Sequence, residues 1–341
     1  MINLRNIISL FLVIGIVAVS GVQVRAEQQK QVVLYTALDQ IFSEPIIQDF
    51  EQKTGIKVKV VYDTEAAKTT GLVNRLIAEK DNSNADVFWN NEIARSILLK
   101  DKGILAPYLS IQAADIPEQF KDKDGFWTGF AARARVLIYN KDLVKADDLP
   151  KSIFDLSDVK WNGKFALANP LFGTTATHCA ALFVALGDEK AKQYFQSLEA
   201  NGVVMVPGNS VSRDRVVDGE LAIGFTDTDD AWVAISEGKN VGMIYPDAGG
   251  IGTLLIPNTV CLIKNAPHPD EARQLIDYIL SREVEQKLAF SQSMQIPLRK
   301  DVKKPKHVPD YDALAVMAVD FEAVAHKLKD SGEFLTGLFL K

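Results

Sequence analysis

The stretch VVLYTALDQIFSEPIIQDFEQKTGIKVKVVY, from Val32 to Tyr62, constrains the fold more than any other part of the chain. Val32–Thr36 reads as a strand. Phe42, Ile46 and Phe50 then recur every four residues and mark one helix face, with Ser43 as an expected N-cap and Pro45 in the first turn. Gly55 suits the left-handed position that ends a helix. Ile56, Val58 and Val60 alternate with Lys57 and Lys59, the pattern of a half-buried strand. A strand–helix–strand unit of this length brings its two strands together in parallel. Parallel strands need helices on both faces.

The alternation continues. Leu72, Leu76 and Ile77 mark a second helix, Asp86–Trp89 a short strand, and Ile93, Ile97 and Leu98 a third helix stopped by Gly103. After an irregular stretch, Val136–Tyr139 opens a second α/β region, with strands expected at Lys164–Ala168, Val203–Val206, Glu220–Phe225, Val241–Tyr245 and Thr259–Ile263. From Pro269 onward the pattern is helical. The fold class is therefore α/β, in two lobes without a flexible linker, joined by strands crossing near Thr128–Tyr139 and Pro257–Lys264. The expected division puts 27–132 plus about 260–300 in lobe 1 and 133–259 in lobe 2. Helices of 301–341 pack on both. Ligands of open α/β sheets bind beyond the carboxyl ends of the strands, so the cleft between lobes is the expected site.

Residues 1–26 have the pattern of a cleaved secretion signal: Arg5, an apolar run from Ile7 to Val22, and Val24-Arg25-Ala26 at its end. The run is short for a membrane span, and no Cys follows where a lipid would attach, so no membrane anchor is expected. Formal charge is −6, and the signal holds two arginines and no acid, so the exported part is more acidic still. That argues against nucleic acid as a partner. Cys179 and Cys261 lie in separate apolar runs and read as two buried thiols.

Asp227, Asp229 and Asp230 form the densest acidic feature, at an expected strand end. Carboxylates so grouped suit a hard cation or an ammonium group, although one of them also serves to cap the helix that follows. Asp39 adds a fourth carboxylate if the lobes close. Arg133 and Arg135 offer forks for an anion, or salt bridges at a crossing strand. In NPLFGTTATH, Thr174 and Thr175 open a helix whose free N–H groups suit an anion, and GNSVSRDR (208–215) is a similar polar start. Glu65 reads as a helix cap. Trp89, Trp127 and Trp232 are expected in the core or at the cleft rim, and the four histidines are scattered. An exported hydrolase would need an activated nucleophile with its base. No G-x-S-x-G elbow, H-E-x-x-H pair or P-loop appears, and the chain reads as a non-enzyme.

VVLYTALD, FEQKTGIKVKV, NADVFWNNEIARSILLKDKGILAPY, RARVLIYN, VVDGELAIG and SMQIPLRKDV together resemble the extracellular solute-binding proteins of ABC importers, specifically the ferric-iron-binding subfamily with the periplasmic-binding-protein type II fold. The resemblance covers nearly all of the chain after the signal. It implies a periplasmic, monomeric protein that closes on a small solute and delivers it to a permease and its ATPase, with no cofactor of its own. A bound metal would be cargo. It implies ligand contacts at Tyr35, Thr36, Asp39, Asn90, Asn91, Arg133, Arg135, Thr174, Thr175, Asp227 and Thr228, and a metal at Asp229 and Asp230. Iron-binding members typically carry His, Glu and an adjacent Tyr pair where this chain has Asp39, Asn91 and Asp229-Asp230. The cargo is thus a metal cation such as iron, or an organic solute such as an amino-phosphonate or a phosphorylated compound. A receptor that reports to a membrane sensor would show the same sequence.

Overall fold

A computed structural model describes residues 29–63 and 69–340. The signal at 1–26 and Glu65 lie outside the described residues. The opening unit is β1 (Gln31–Thr36), α1 (Gln40–Thr54) and β2 (Lys57–Tyr62), with β1 and β2 parallel and Val32 opposite Val58. Phe42, Ile46 and Phe50 are the buried face of α1, and Gly55 closes it at φ 72°. The N-cap is Asp39 rather than Ser43. Ser43 sits one turn in and donates its hydroxyl back to the Asp39 carbonyl at 3.0 Å, a bond available only inside the helix.

Next come α2 (Thr70–Ala78), β3 (Val87–Asn90), α3 (Ala94–Asp101) and β4 (Leu105–Ala106). The crossing strand β5 (Thr128–Asn140) is longer than its apolar core suggested. It is buried almost throughout, because both of its faces are covered. The second region follows as β6 (Phe165–Ala168), α4 (Gly173–Leu186), α5 (Asp188–Ala200), β7 (Val204–Val206), α6 (Asn209–Val217), β8 (Ile223–Asp227), α7 (Thr228–Ser236) and β9 (Val241–Ile244). The chain returns through β10 (Leu255–Ile263) to α8 (Pro269–Ile279) and α9 (Arg282–Phe290).

The strands run in the order β2-β1-β3-β10-β5-β8-β6-β7, with β4 on β10 and β9 on β5. Between Thr128 and Ala134, β5 is antiparallel to β10. From Arg135 to Asn140 it is antiparallel to β8 and β9. One strand thus belongs to two strand groups, and its two halves fix how those groups face each other. The tail is less helical than its sequence pattern: residues 291–320 are mostly irregular, and a single helix, α10 (Phe321–Phe339), follows. It packs on α3 from one group and on α4 and α5 from the other.

Packing accounts for the aromatic residues. Trp89 and Trp127 are buried, and Trp89 lies 5.6 Å from the Phe130 ring. Trp232 is half-buried and stacks on His307 with centroids 3.9 Å apart. Cys179 on α4 and Cys261 on β10 are free, and burial pushes each thiol up to about 12. No described helix is long and apolar enough to cross a membrane.

Candidate functional site

Five strands end at one cleft, two from one parallel group and three from the other. β1 runs into Asp39, β3 into Asn91, β6 into Thr174 and Thr175, β7 into Asn209, and β8 ends on Asp227. These residues line a cavity together with Arg133, Asn169, Phe172, Pro207, Gly208 and Asp230. Its free volume is about 30 Å³, room for one or two waters or a single ion. Beyond it lies a wider mouth of about 400 Å³ bounded by Asp39, Arg213, Asp229, Asp230, Glu237 and Gln292.

Two arginines order the interior. Arg133 and Arg135 are two residues apart on β5, so both project from the same face of the strand. Arg135 is wholly buried. Its guanidinium donates to Asp227 Oδ1 at 2.8 Å, to Thr174 and Asn209 at 3.2 Å, and to Thr175 and His178 at 3.4 Å. Every one of these partners comes from the second strand group. Arg133 instead spans the cleft: Nη2 donates to the Asn91 carbonyl at 2.6 Å, while Nη1 donates to Asp229 at 3.0 Å and lies 3.3 Å from Asp227. Its Nε is buried with no hydrogen-bond partner among the described residues.

Asp227 also accepts from Thr174 Oγ1 at 2.5 Å and Asn209 Nδ2 at 3.0 Å. Burial alone would raise its carboxyl, but Arg135 and Arg133 outweigh burial and hold it below the usual carboxylate range. Burial lowers a guanidinium, yet Asp229 and Asp227 keep Arg133 firmly charged. His178 goes the other way. Burial and the Arg135 charge bring it down to about 3, so it is neutral and accepts at Nδ1.

Oxygens of Asp227, Asp229 and Asp230 lie within 4.8 Å of one another, a spacing compatible with one metal ion. Asp230 accepts from Thr226 Oγ1 at 3.1 Å, and Arg213 stands 3.8 Å from it at the mouth. Helices α4, α6 and α7 all begin at this cavity. None of their N-cap residues, Phe172, Gly208 and Asp227, hydrogen-bonds its own first turn through a side chain. Their N–H groups bring partial positive charge to the same space.

Not every expected residue reaches it. Asp39, Asn91, Arg133, Thr174, Thr175, Asp227 and Asp230 line the cavity, and Asp229 lines the mouth. Arg135 stands behind them. Tyr35 turns away into the core, where its hydroxyl donates to Glu79 at 3.0 Å; burial first, then Glu79, pushes it up to about 12. Asn90 is buried and donates to Glu92 and Ser96. The Thr36 hydroxyl accepts from the Leu38 N–H, and that of Thr228 from the Ala134 N–H. These four are framework. Asn169, Phe172 and Asn209 also line the cavity; they lie in the NPLFGTTATH and GNSVSRDR segments but were not named as contacts. The signal for them was their place just after strands β6 and β7.

Comparisons with known proteins agree with this architecture. The family model described as bacterial extracellular solute-binding protein matches residues 45–316. Iron uptake protein A1 of Synechocystis sp. is 29% identical over 292 residues, covering 81% of this chain and 79% of that protein. Iron-bound HitA from Pseudomonas aeruginosa superposes with a TM-score of 0.80 at 26% identity, over 89% of this chain and 98% of the other. AfuA from Actinobacillus pleuropneumoniae, with fructose-6-phosphate bound, reaches a TM-score of 0.81 at 21% identity, over 92% and 99% of the chains, which speaks for the shared fold alone. Two strand groups sharing a crossing strand, with a cleft at the strand ends, make this the two-lobed type II periplasmic binding fold, and the chain belongs to the bacterial extracellular solute-binding protein family.

Proposed function

We propose that this chain is the periplasmic binding component of an ABC importer and that its cargo is a hard metal cation of the ferric type, carried with a small oxyanion. The observation that carries the reading is the acidic cluster at the cleft. Asp227, Asp229 and Asp230 offer oxygens within 4.8 Å, Asp39 faces them, and the free space beside them suits one ion. Four carboxylates against two buried guanidinium groups leave a surplus of negative charge, reduced but not cancelled by Arg213 at the mouth. Relatives named for iron uptake and for iron bound in the crystal support the same cargo. Carboxylate, carbonyl and water oxygens are the ligands such ions prefer.

The oxyanion has its own donors. Arg133, whose buried Nε has no hydrogen-bond partner among the described residues, lines the cavity with the N-terminal turns of α4 and α6, and an anion held there completes the coordination of a metal lying over Asp229 and Asp230. Arg133 and Arg135 orient the carboxylates. Asn91, Thr174 and Thr175 shape the wall. The lobes divide as 27–132 plus about 260–300 and 133–259, supported by the change of β5 partners after Ala134. The protein is exported through a cleaved signal, acts as a monomer, passes its cargo to a permease and its ATPase, and catalyses no reaction.

Thermal unfolding of the purified protein tests this, since a ligand that binds only the folded state raises its melting temperature. Ferric citrate raises it in the wild type and not in Asp229→Asn/Asp230→Asn. An equal shift in both proteins refutes the acidic site. A shift with fructose-6-phosphate and none with ferric citrate refutes the metal cargo.

A further inference from the structure

Away from the cleft lining, one buried ion pair reaches from the first lobe to the second. Glu92 is wholly buried in the turn before α3, directly after the cleft residue Asn91. Its carboxylate accepts from the backbone N–H groups of Ala94 at 2.7 Å and Arg95 at 3.0 Å, and from Asn90 Nδ2 at 3.2 Å. Those three donors belong to its own lobe. The fourth does not: Thr177 of α4 donates its hydroxyl at 2.8 Å. Arg95, 3.7 Å from Glu92, sends Nη2 to the Leu171 carbonyl at 2.8 Å. Leu171 and Thr177 bracket the segment that presents Thr174 and Thr175 to the cavity. Thr177 is also three residues past Thr174, one turn deeper on the same side of α4.

We propose that Glu92 and Arg95 form a clamp on residues 171–177, and that Arg95 and Thr177 are positioning residues that set the N-terminal turn of α4 against the first lobe in the ligand-ready arrangement. Each end of the segment is held by a charge-assisted hydrogen bond, the stronger class, in a site screened from water. The same carboxylate anchors the turn that carries Asn91, so one group registers both walls of the cleft. The clamp acts on lobe geometry and does not depend on the cargo. Only the affinity arm of its test rests on the reading given above.

The test compares Thr177→Val, which removes the hydroxyl at nearly constant shape, with Thr177→Ser, which keeps it. Ferric citrate affinity is measured by calorimetry, and the radius of gyration of the unliganded protein by small-angle scattering. Thr177→Val is expected to bind about 10- to 100-fold more weakly, through faster release, and to populate a more open unliganded form. Thr177→Ser is expected to recover both. Wild-type scattering together with affinity within twofold for Thr177→Val would overturn the clamp. So would a loss that Thr177→Ser fails to recover, because the methyl and not the hydroxyl would then be at work. Should Thr177→Val not fold, Arg95→Gln, which releases Leu171, carries the same expectations. A wild type that does not bind ferric citrate refutes the cargo alone, and the scattering comparison still decides on the clamp.

Discussion

Replacing Arg135 by Met separates what holds the site together from what binds. The side chain is wholly buried and donates to Asp227, Thr174, Asn209, Thr175 and His178, so Met removes a cation from a place where water cannot substitute. Stripping one partner from a buried ion pair typically costs about 3–5 kcal/mol. The low end applies, because Asp227 keeps Thr174, Asn209 and Arg133 at 3.3 Å. About 3 kcal/mol corresponds to a melting temperature roughly 4–5 °C lower for a chain of this size. The pH dependence has a definite sign. Asp227 is depressed in the folded protein, so its contribution is present above the unfolded carboxyl range and is lost as pH falls through the folded value. With Arg135 gone the folded value rises, and acid unfolding of Arg135→Met begins at a higher pH than in the wild type. Adding Asp227→Asn removes the under-compensated charge, so the double variant should be more stable than Arg135→Met alone. Urea titrations of the three proteins check this. A single variant as stable as the wild type, or a double variant less stable than the single, would refute the account of Arg135 as the cation that stabilises this cluster.

His178 predicts a second acid effect. Burial and Arg135 hold it at about 3 in the folded protein, so it resists protonation that the unfolded chain accepts near 6.5. Its contribution is complete above pH 6.5 and falls away as pH drops towards 3; by pH 4.5 the loss is about 3 kcal/mol. Urea midpoints at pH 7 and pH 4.5 should therefore diverge less in His178→Gln than in the wild type. Among the described residues that line the cavity there is no Tyr, so a ferric complex should lack the visible phenolate charge-transfer band; a strong band on adding ferric citrate would contradict the carboxylate set. Gly252 adopts φ 84°, and an added Cβ would meet the Met317 backbone N at 2.6 Å, so Gly252→Ala should cost more than about 2 kcal/mol by chemical denaturation.

Much of the architecture could be read in the chain before any coordinates. Val32–Tyr62 announced its strands and helix because each has one buried face with a clean period, and periodicity is what sequence exposes best. Strand β5 was harder. Gly129, Arg133 and Arg135 interrupt its apolar run, and the burial of two arginines follows only from carboxylates that other elements bring to them. Arg133 and Arg135 did carry one legible sign, their two-residue spacing. Tyr35 misleads for a related reason. It sits near the strand end that faces the cleft, yet the pleat points its ring into the core towards Glu79, and one residue of register decides which way a strand residue looks. Glu92 stands one place after Asn91, the position where the resemblance sets a Glu. The structure uses it to cap the first turn of α3 and to bond Thr177. Contacts between residues so distant in sequence leave no local pattern to read.

The central claim is that the carboxylates of this cleft carry a metal cargo, and metal content tests it most directly. The purified protein is stripped with chelator, loaded with ferric citrate and dialysed, and iron per chain is counted by elemental mass spectrometry. The account predicts about one iron per wild-type chain, as a single such cluster requires. It predicts almost none in Asp229→Asn/Asp230→Asn, whose fold is kept by near-isosteric amides. Wild-type protein that retains no iron, or a double variant that retains as much as the wild type, would contradict it.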